Sequence, residues 1–538
     1  MFSSHPVVNQ LTALLLAHGL TDIVACPGSR NAPLLHNFRE AGLTLHPTTD
    51  ERSAAFVALG IVLATERPAA VCVTSGSALL ATLPAVAEAY YRQLPLLVVS
   101  ADRPAAWIGQ LDGQTLPQSG ALLPYCPTRA LGEGDNESTR WANNRLINEA
   151  LLSLHDFGGG PAHLNVPLAE PLFQFSVPAL PEERKIERIR PEASQPLPAS
   201  LVQDIARARL PMLLFGQYDR GDLRAEVDAL DREGKMLVVP EILSDVCGSF
   251  RMNVFDALDG NESALLPDLV VQIGGNFVHK RFKQLLRHSD CRVVRIGLDR
   301  ELPDTFCRLA VQASASPVAA LRQLACELPA RHAGVEQALR FYRTACRPYC
   351  RPEPAALPPM ERVLLQLRQS LSKLAEPYAL HLANSSAVRA AAHVFPSGEG
   401  GPILGNRGTN GIEGSLSVAV GYALKMWGLS LVVTGDLSFF YDANALWNTR
   451  LPANLRILLL NNHGGAIFHR LPGLEASPAL PEYIAAGGQP YTAQGIAATF
   501  RLGYAAATHD SLTDRQLSDW LAPADRAQLL EVSLPIHS

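Results

Sequence analysis

The sequence has no excess of positive charge, no long apolar run and no paired cysteine spacing. Lys and Arg number 46 against 51 Asp and Glu, giving a formal net charge of −5 and a pI near 6.3. That balance argues against a nucleic-acid-binding surface and leaves room only for a local basic pocket. No stretch approaches the roughly 20 apolar residues that span a bilayer, so membrane insertion is not expected. The start, MFSSHPVVNQLTALLLAHGL, has no basic residue ahead of its apolar part, and Leu11 to Leu16 followed by His18 predicts one face of an amphipathic helix. The 9 cysteines run from Cys26 to Cys350, an odd number, and the closest pair, Cys346 and Cys350, lacks the second pair or nearby histidines of a zinc site. A reducing compartment, the cytoplasm, is the expected location.

What is present is an ordinary globular composition, 47% hydrophobic and 18% charged, over 538 residues. This length predicts two to four domains with a large core. Two stretches rich in proline and charge, Val177 to Ser200 and Cys346 to Met360, read as linkers. They divide the chain into residues 1–180, 196–345 and 358–538. Each part alternates helical patterns such as Ala78 to Arg92 with short apolar runs. These runs are DIVACPG, AAVCVTS and LPLLVVSA in the first part, MLLFGQ, MLVVPE, DLVVQIGG and CRVVRIGL in the second, and YALHLANS, SLVVTGD and LRILLLNN in the third. Near-continuous apolar strands between helices predict an α/β fold of parallel sheets covered on both faces. Ligands of such sheets bind beyond the carboxyl ends of the strands.

Polar residues gather at those ends: Pro27-Gly28-Ser29-Arg30, Ser75-Gly76-Ser77, Asn384-Ser385-Ser386, Gly435-Asp436 and Asn461-Asn462. Asp436 and Asn462 both offer oxygen to a hard divalent cation, with the Gly464 carbonyl as a natural third ligand. Magnesium takes such ligands in an octahedron and usually keeps phosphate oxygens among them. A helix beginning near Asp442 and the small residues Gly464 and Gly465 would turn backbone N–H groups towards those phosphates. Taken singly, Gly-Asp reads as a turn and Asn-Asn as a strand cap.

Together, at this separation, they resemble the motif of thiamine diphosphate-dependent enzymes, Gly-Asp followed by roughly 25 to 30 residues and then Asn-Asn. Leu437 stands where that family usually has Gly or Ala, and the GDLS form is similar to one branch of it. The resemblance is carried along nearly the whole chain by CPGSRNAPL, DERSAAFVALG, TSGSA, SADRP, HLNVPLAEPL, NRGTNGIEG, GDLSFFYDANAL and NNHGGAIF. That branch belongs to menaquinone biosynthesis. The resemblance implies a pyrimidine-binding first domain, a central domain and a diphosphate-binding third domain. It also implies decarboxylation of 2-oxoglutarate followed by conjugate addition of the four-carbon carbanion to isochorismate.

The same resemblance assigns residues. Glu51 would hydrogen-bond the aminopyrimidine and act in catalysis with Arg389 and Arg407. Ser75, Ser385, Ile412, Gly435, Asp436, Leu437, Ser438, Asn462, Gly464, Gly465 and Ile467 would hold thiamine diphosphate, with Mg2+ or Mn2+ on Asp436, Asn462 and Gly464. Both substrates are dianions, and arginine forks match carboxylates. Ser29, Arg30, Arg103, Gln114, Lys280, Arg281, Asn384, Ser385, Arg389, Arg407, Ile467, Phe468 and Leu471 would therefore face substrate. Gln114 departs from the pattern in following a glycine where the branch often has asparagine. A homodimer or homotetramer is implied, in which Glu51 of one chain serves the diphosphate site of another. Two other readings fit the residues less well. A carboligase of the acetolactate synthase type, with FAD in the middle domain, does not require so many arginines. A non-catalytic homologue would have no use for Glu51 together with Asp436 and Asn462.

Overall fold

The computed structural model describes residues 1–189, 195–256, 258, 262–345 and 354–536. Cys346, Cys350 and most of the second linker lie outside the described residues. The seven described cysteines are all free thiols.

Three parallel sheets carry the chain. The first orders its strands as Thr44–Pro47, Asp22–Ala25, Ala69–Val73, Leu96–Asp102, Ala162–Pro167 and Thr128–Ala130. The middle sheet runs Leu237–Pro240, Pro211–Phe215, Leu269–Ile273, Arg292–Gly297 and Leu309–Ser314. The third runs Ile403–Leu404, Tyr378–Leu382, Leu429–Gly435, Leu455–Asn461, Gln528–Ser533 and Gly503–Thr508. In every sheet the chain enters one strand in from the edge, steps outward, and then crosses to the other side. The two loops that diverge there open a crevice at the carboxyl edge. In the first sheet it lies between the loops after Ala25 and Val73, in the third between those after Leu382 and Gly435.

The ten apolar runs of the sequence all form strands, because a strand buried on both faces must be apolar throughout. The Ala78 to Arg92 helix is broken. Ser77–Ala81 and Leu83–Arg92 are separate helices meeting at Thr82, whose hydroxyl donates to the Leu79 carbonyl at 2.7 Å. Pro84, without an N–H, fits only the first turn of the second helix. At the second linker, Pro359 and Met360 already belong to the Pro359–Leu371 helix, again with proline in its first turn.

Among the contacts that fix the sheets relative to one another, two bear on the site. The Glu51–Thr65 helix of the first part crosses the Ser415–Ala423 helix of the third at glycines. A Cβ on Gly60 would stand 2.1 Å from the Val418 oxygen, and one on Gly421 2.0 Å from the Val57 oxygen. No larger residue permits that approach. The second contact is Arg92, whose side chain is 2% exposed. Its Nη2 donates to Asp219 of the middle part at 2.7 Å and its Nη1 to Asn406 of the third at 3.2 Å. One turn earlier, fully buried Glu88 accepts from the amides of Gly408 and Thr409 at 3.0 and 2.7 Å.

Candidate active site

The Leu429–Gly435 and Leu455–Asn461 strands pair in parallel with Gly435 opposite Leu460. Asp436 is therefore level with Asn461, and Asn462 projects one residue further from the same edge. Both are buried, Asp436 at 3% and Asn462 at 5% exposure. Desolvation pushes the Asp436 carboxyl up, while amides of Leu437, Asp436 and Gly464 and the nearby His463 oppose that. The helix predicted near Asp442 begins at Asp436 itself and runs to Tyr441, so the strand passes into it without a turn. Gly464 takes φ +149° and Gly465 packs against Phe468. Two buried hard oxygens on adjacent strands fit a divalent cation whose shell is completed by phosphate oxygens. A Cβ at Gly435 would meet nothing within 4 Å, so the approach to Asp436 is open.

On the same edge, the strand Tyr378–Leu382 delivers Asn384 and Ser385. Ser385 holds φ +72°, a left-handed conformation costly for a residue with a Cβ, and caps the Ser386–Val394 helix bearing Arg389. Arg389 Nη1 donates to the Ser385 carbonyl at 2.6 Å. The Asn384 amide donates to the carbonyls of Asn406 and Gly411, both at 2.6 Å, and its oxygen accepts from Arg407 at 3.1 Å. Asn384 thus shapes the loop that holds Arg407 and Ile412. Arg407 is buried, and its Nε has no partner among the described residues. Desolvation, then Arg389, pulls its guanidinium down to about 10, still fully charged at neutral pH. Ile412 is 39% exposed, and its carbonyl accepts from Ser438 at 2.6 Å, which ties it to the Asp436 helix. Leu437, Ile467 and Phe468 are half-buried and Leu471 is exposed.

The first sheet gathers a second group. Ser29 is exposed beside buried Arg30, which donates to the Leu168 carbonyl at 2.9 Å and to Glu170 at 3.2 Å. Arg103 pairs with Asp112 at 2.8 Å, donates to the Gly113 carbonyl and stands 4.0 Å from the same Glu170. Those bonds hold the loop of Gln114, which is exposed at φ +55°. Gly76 packs against the Gln114 backbone, and Ser75 beside it is buried. Glu51 is half-buried at the first position of its helix, whose N-cap Asp50 accepts from the Ser53 amide. Its neighbours cross to the third part: Asp50 accepts from Asn444 at 2.7 Å and Arg52 donates to the Tyr441 carbonyl at 2.7 Å. Glu51 therefore sits at the seam between the two sheets.

Lys280 and Arg281 belong to the middle part. Lys280 is exposed, and Arg281 forms an ion pair with Glu262. Sequence reasoning missed three supports. Asp442, pushed up to about 6 by desolvation, accepts from the Ser417 amide and hydroxyl at 2.8 and 2.7 Å. Glu88 and Arg92 hold the 406–409 loop from the first part. A buried glutamate and arginine four apart in an apolar helix were the available signal.

Comparison with known proteins agrees with this geometry. Residues 6–121 match the family described as thiamine pyrophosphate enzyme, N-terminal TPP binding domain. The chain is 41% identical over 502 residues to a protein of Bacteroides thetaiotaomicron named 2-succinyl-5-enolpyruvyl-6-hydroxy-3-cyclohexene-1-carboxylate synthase, covering 90% of this chain and 88% of that one. Proteins of the same name from Phocaeicola vulgatus and Cytophaga hutchinsonii are 39% and 33% identical. These matches cover 99% and 98% of this chain and 96% and 95% of theirs. With that likeness running from the first sheet to the last, the chain belongs to the thiamine diphosphate-dependent 2-succinyl-5-enolpyruvyl-6-hydroxy-3-cyclohexene-1-carboxylate synthase family.

Proposed function

We propose that this protein decarboxylates 2-oxoglutarate and adds the resulting four-carbon unit to isochorismate, a step of menaquinone biosynthesis carried out in the cytoplasm. The observation that carries the reading is the third sheet's edge, where buried Asp436 and Asn462 stand beside a cationic Arg389 and Arg407. When bound, thiamine diphosphate supplies a nucleophilic carbon that accepts a 2-oxo acid and delocalises the electron pair left by decarboxylation.

The chain's own residues do the rest. Asp436, Asn462 and the Gly464 carbonyl would hold Mg2+ or Mn2+, and Gly435, Leu437, Ser438 and Gly465 would contact the diphosphate. Ile412 would support the cofactor, and Ser75, Ser385 and Ile467 would contact it. Glu51, half-buried on the seam, would hydrogen-bond the pyrimidine N1′. Arg389 and Arg407 orient substrate carboxylates, and burial of Arg407 strengthens its interaction. Ile467, Phe468 and Leu471 exclude water from the reacting carbons. Ser29, Arg30, Arg103 and Gln114 offer further contacts. Glu170 is 72% exposed, so its pairs with Arg30 and Arg103 are worth little and a substrate carboxylate can replace it.

The test is isochorismate consumption by the purified protein with thiamine diphosphate, magnesium and 2-oxoglutarate, each omitted in turn. Loss of isochorismate that needs all three is expected. Consumption of pyruvate in place of 2-oxoglutarate, with isochorismate untouched, would overturn the substrate assignment.

A further inference from the structure

The Lys280–Arg287 helix carries one more cation that neither motif nor resemblance singles out. Its apolar side, Phe282 and Leu286, is buried in the middle part. Lys280 points to solvent and Arg281 is engaged by Glu262. Lys283 has different company. It is half-buried in the wall of a cavity of about 800 Å3, which Arg407 also lines, together with Gln217, Asn276 and the acidic Asp219 and Asp299, themselves paired with Arg92 and Arg295. The charges acting on its ammonium are Arg407, Arg287, Glu241 and Arg389.

Glu241 does not neutralise this group. Its carboxylate is fully buried and already accepts from the amides of Ile242 and Val278 at 2.9 and 2.7 Å, with His279 at 3.4 Å. Among the described residues the Lys283 ammonium has no hydrogen bond or ion pair of its own. A partly desolvated ammonium that shares a cavity wall with a guanidinium whose buried Nε has no partner among the described residues is unfavourable in isolation. A ligand with separated negative charges reverses that sign.

We propose that Lys283 is a substrate-binding residue that supplies, with Arg407, a second cation of the pocket for a substrate carboxylate. The inference rests on the reading of the site given above. The Arg407 fork fixes a carboxylate's plane, whereas an ammonium on a flexible stem is a point charge that selects for an additional carboxylate. Lys283 is therefore a determinant of preference for dicarboxylates.

Both substrates carry such a group, and Lys283→Met and Lys283→Arg distinguish them. The KM for one substrate is expected to rise about tenfold or more in Lys283→Met, the worth of one charge-assisted hydrogen bond. The kcat and thiamine diphosphate affinity, the latter followed by protein fluorescence, are expected to stay within about twofold. Lys283→Arg is expected to restore most of the KM. A rise confined to 2-oxoglutarate, with 2-oxopentanoate used equally by wild type and variant, assigns the far carboxylate of the 2-oxo acid. A rise confined to isochorismate assigns the acceptor. Unchanged KM for both, or a parallel loss of cofactor affinity, overturns the role of Lys283 alone. A wild-type protein that consumes no isochorismate overturns the reading of the site as well.

Discussion

Single buried side chains govern how this protein responds to acid. His381 lies in the strand that leads to Ser385, packed edge-on against Tyr422, and desolvation followed by Arg92 pulls it down to about 3. His163, between Ser100 and Thr128, is likewise held neutral at about 3 by burial. Their folded pKa values lie below the unfolded value of 6.5. The unfolded chain therefore binds protons that the folded one refuses. Their contribution to stability is complete above pH 6.5 and falls as pH drops towards 3, by about 1.4 kcal/mol per pH unit for each histidine. The His381 Nε2 has no partner among the described residues, so His381→Phe forfeits no hydrogen bond at that atom. Denaturant titrations between pH 7 and 4.5 are expected to show a shallower decline for that variant, by about 1.4 kcal/mol per unit. An unchanged slope would place the acid sensitivity elsewhere.

At the level of elements, the crossing of Glu51–Thr65 over Ser415–Ala423 sets where catalytic parts stand. One helix begins at Glu51, and the other follows Gly414, two residues beyond Ile412. Gly421→Ala would thrust a methyl against the Val57 carbonyl, and overpacking of this kind costs about 1–3 kcal/mol. Loss of that size in denaturant unfolding, with a fall in kcat, is the expected result. The sequence did not show the crossing, since a glycine in a helix does not say what approaches it. It showed the strands buried on both faces for the reason that they are apolar throughout. Leu309–Ser314 and Gly503–Thr508 escaped because they are half-exposed edge strands with small or polar residues. Asp436 and Asn462 were legible as polar residues at strand ends, whereas Arg389 and Arg407 were legible only through the family resemblance. The direction taken by each cation was not: Arg281 turns to Glu262 and Lys283 to Arg407, a difference of helical phase around a start that the sequence does not mark.

For the whole molecule, the question is how many chains complete one site. Glu51→Gln is expected to bind cofactor with little turnover, and Asp436→Ala to lose metal-dependent cofactor binding. If Glu51 of one chain serves Asp436 of another, unfolding and refolding the two inactive variants together restores about a quarter of wild-type turnover. No recovery would mean that the seam through Asp50 and Arg52 completes the site within a single chain. Arg92 bears on the same scale. One guanidinium answers to Asp219 and Asn406, so melting of any one sheet leaves a buried charge stranded in the others. Scanning calorimetry is expected to record a single endotherm for the wild type, and two separated ones for Arg92→Met, because the three sheets are wired to fail together.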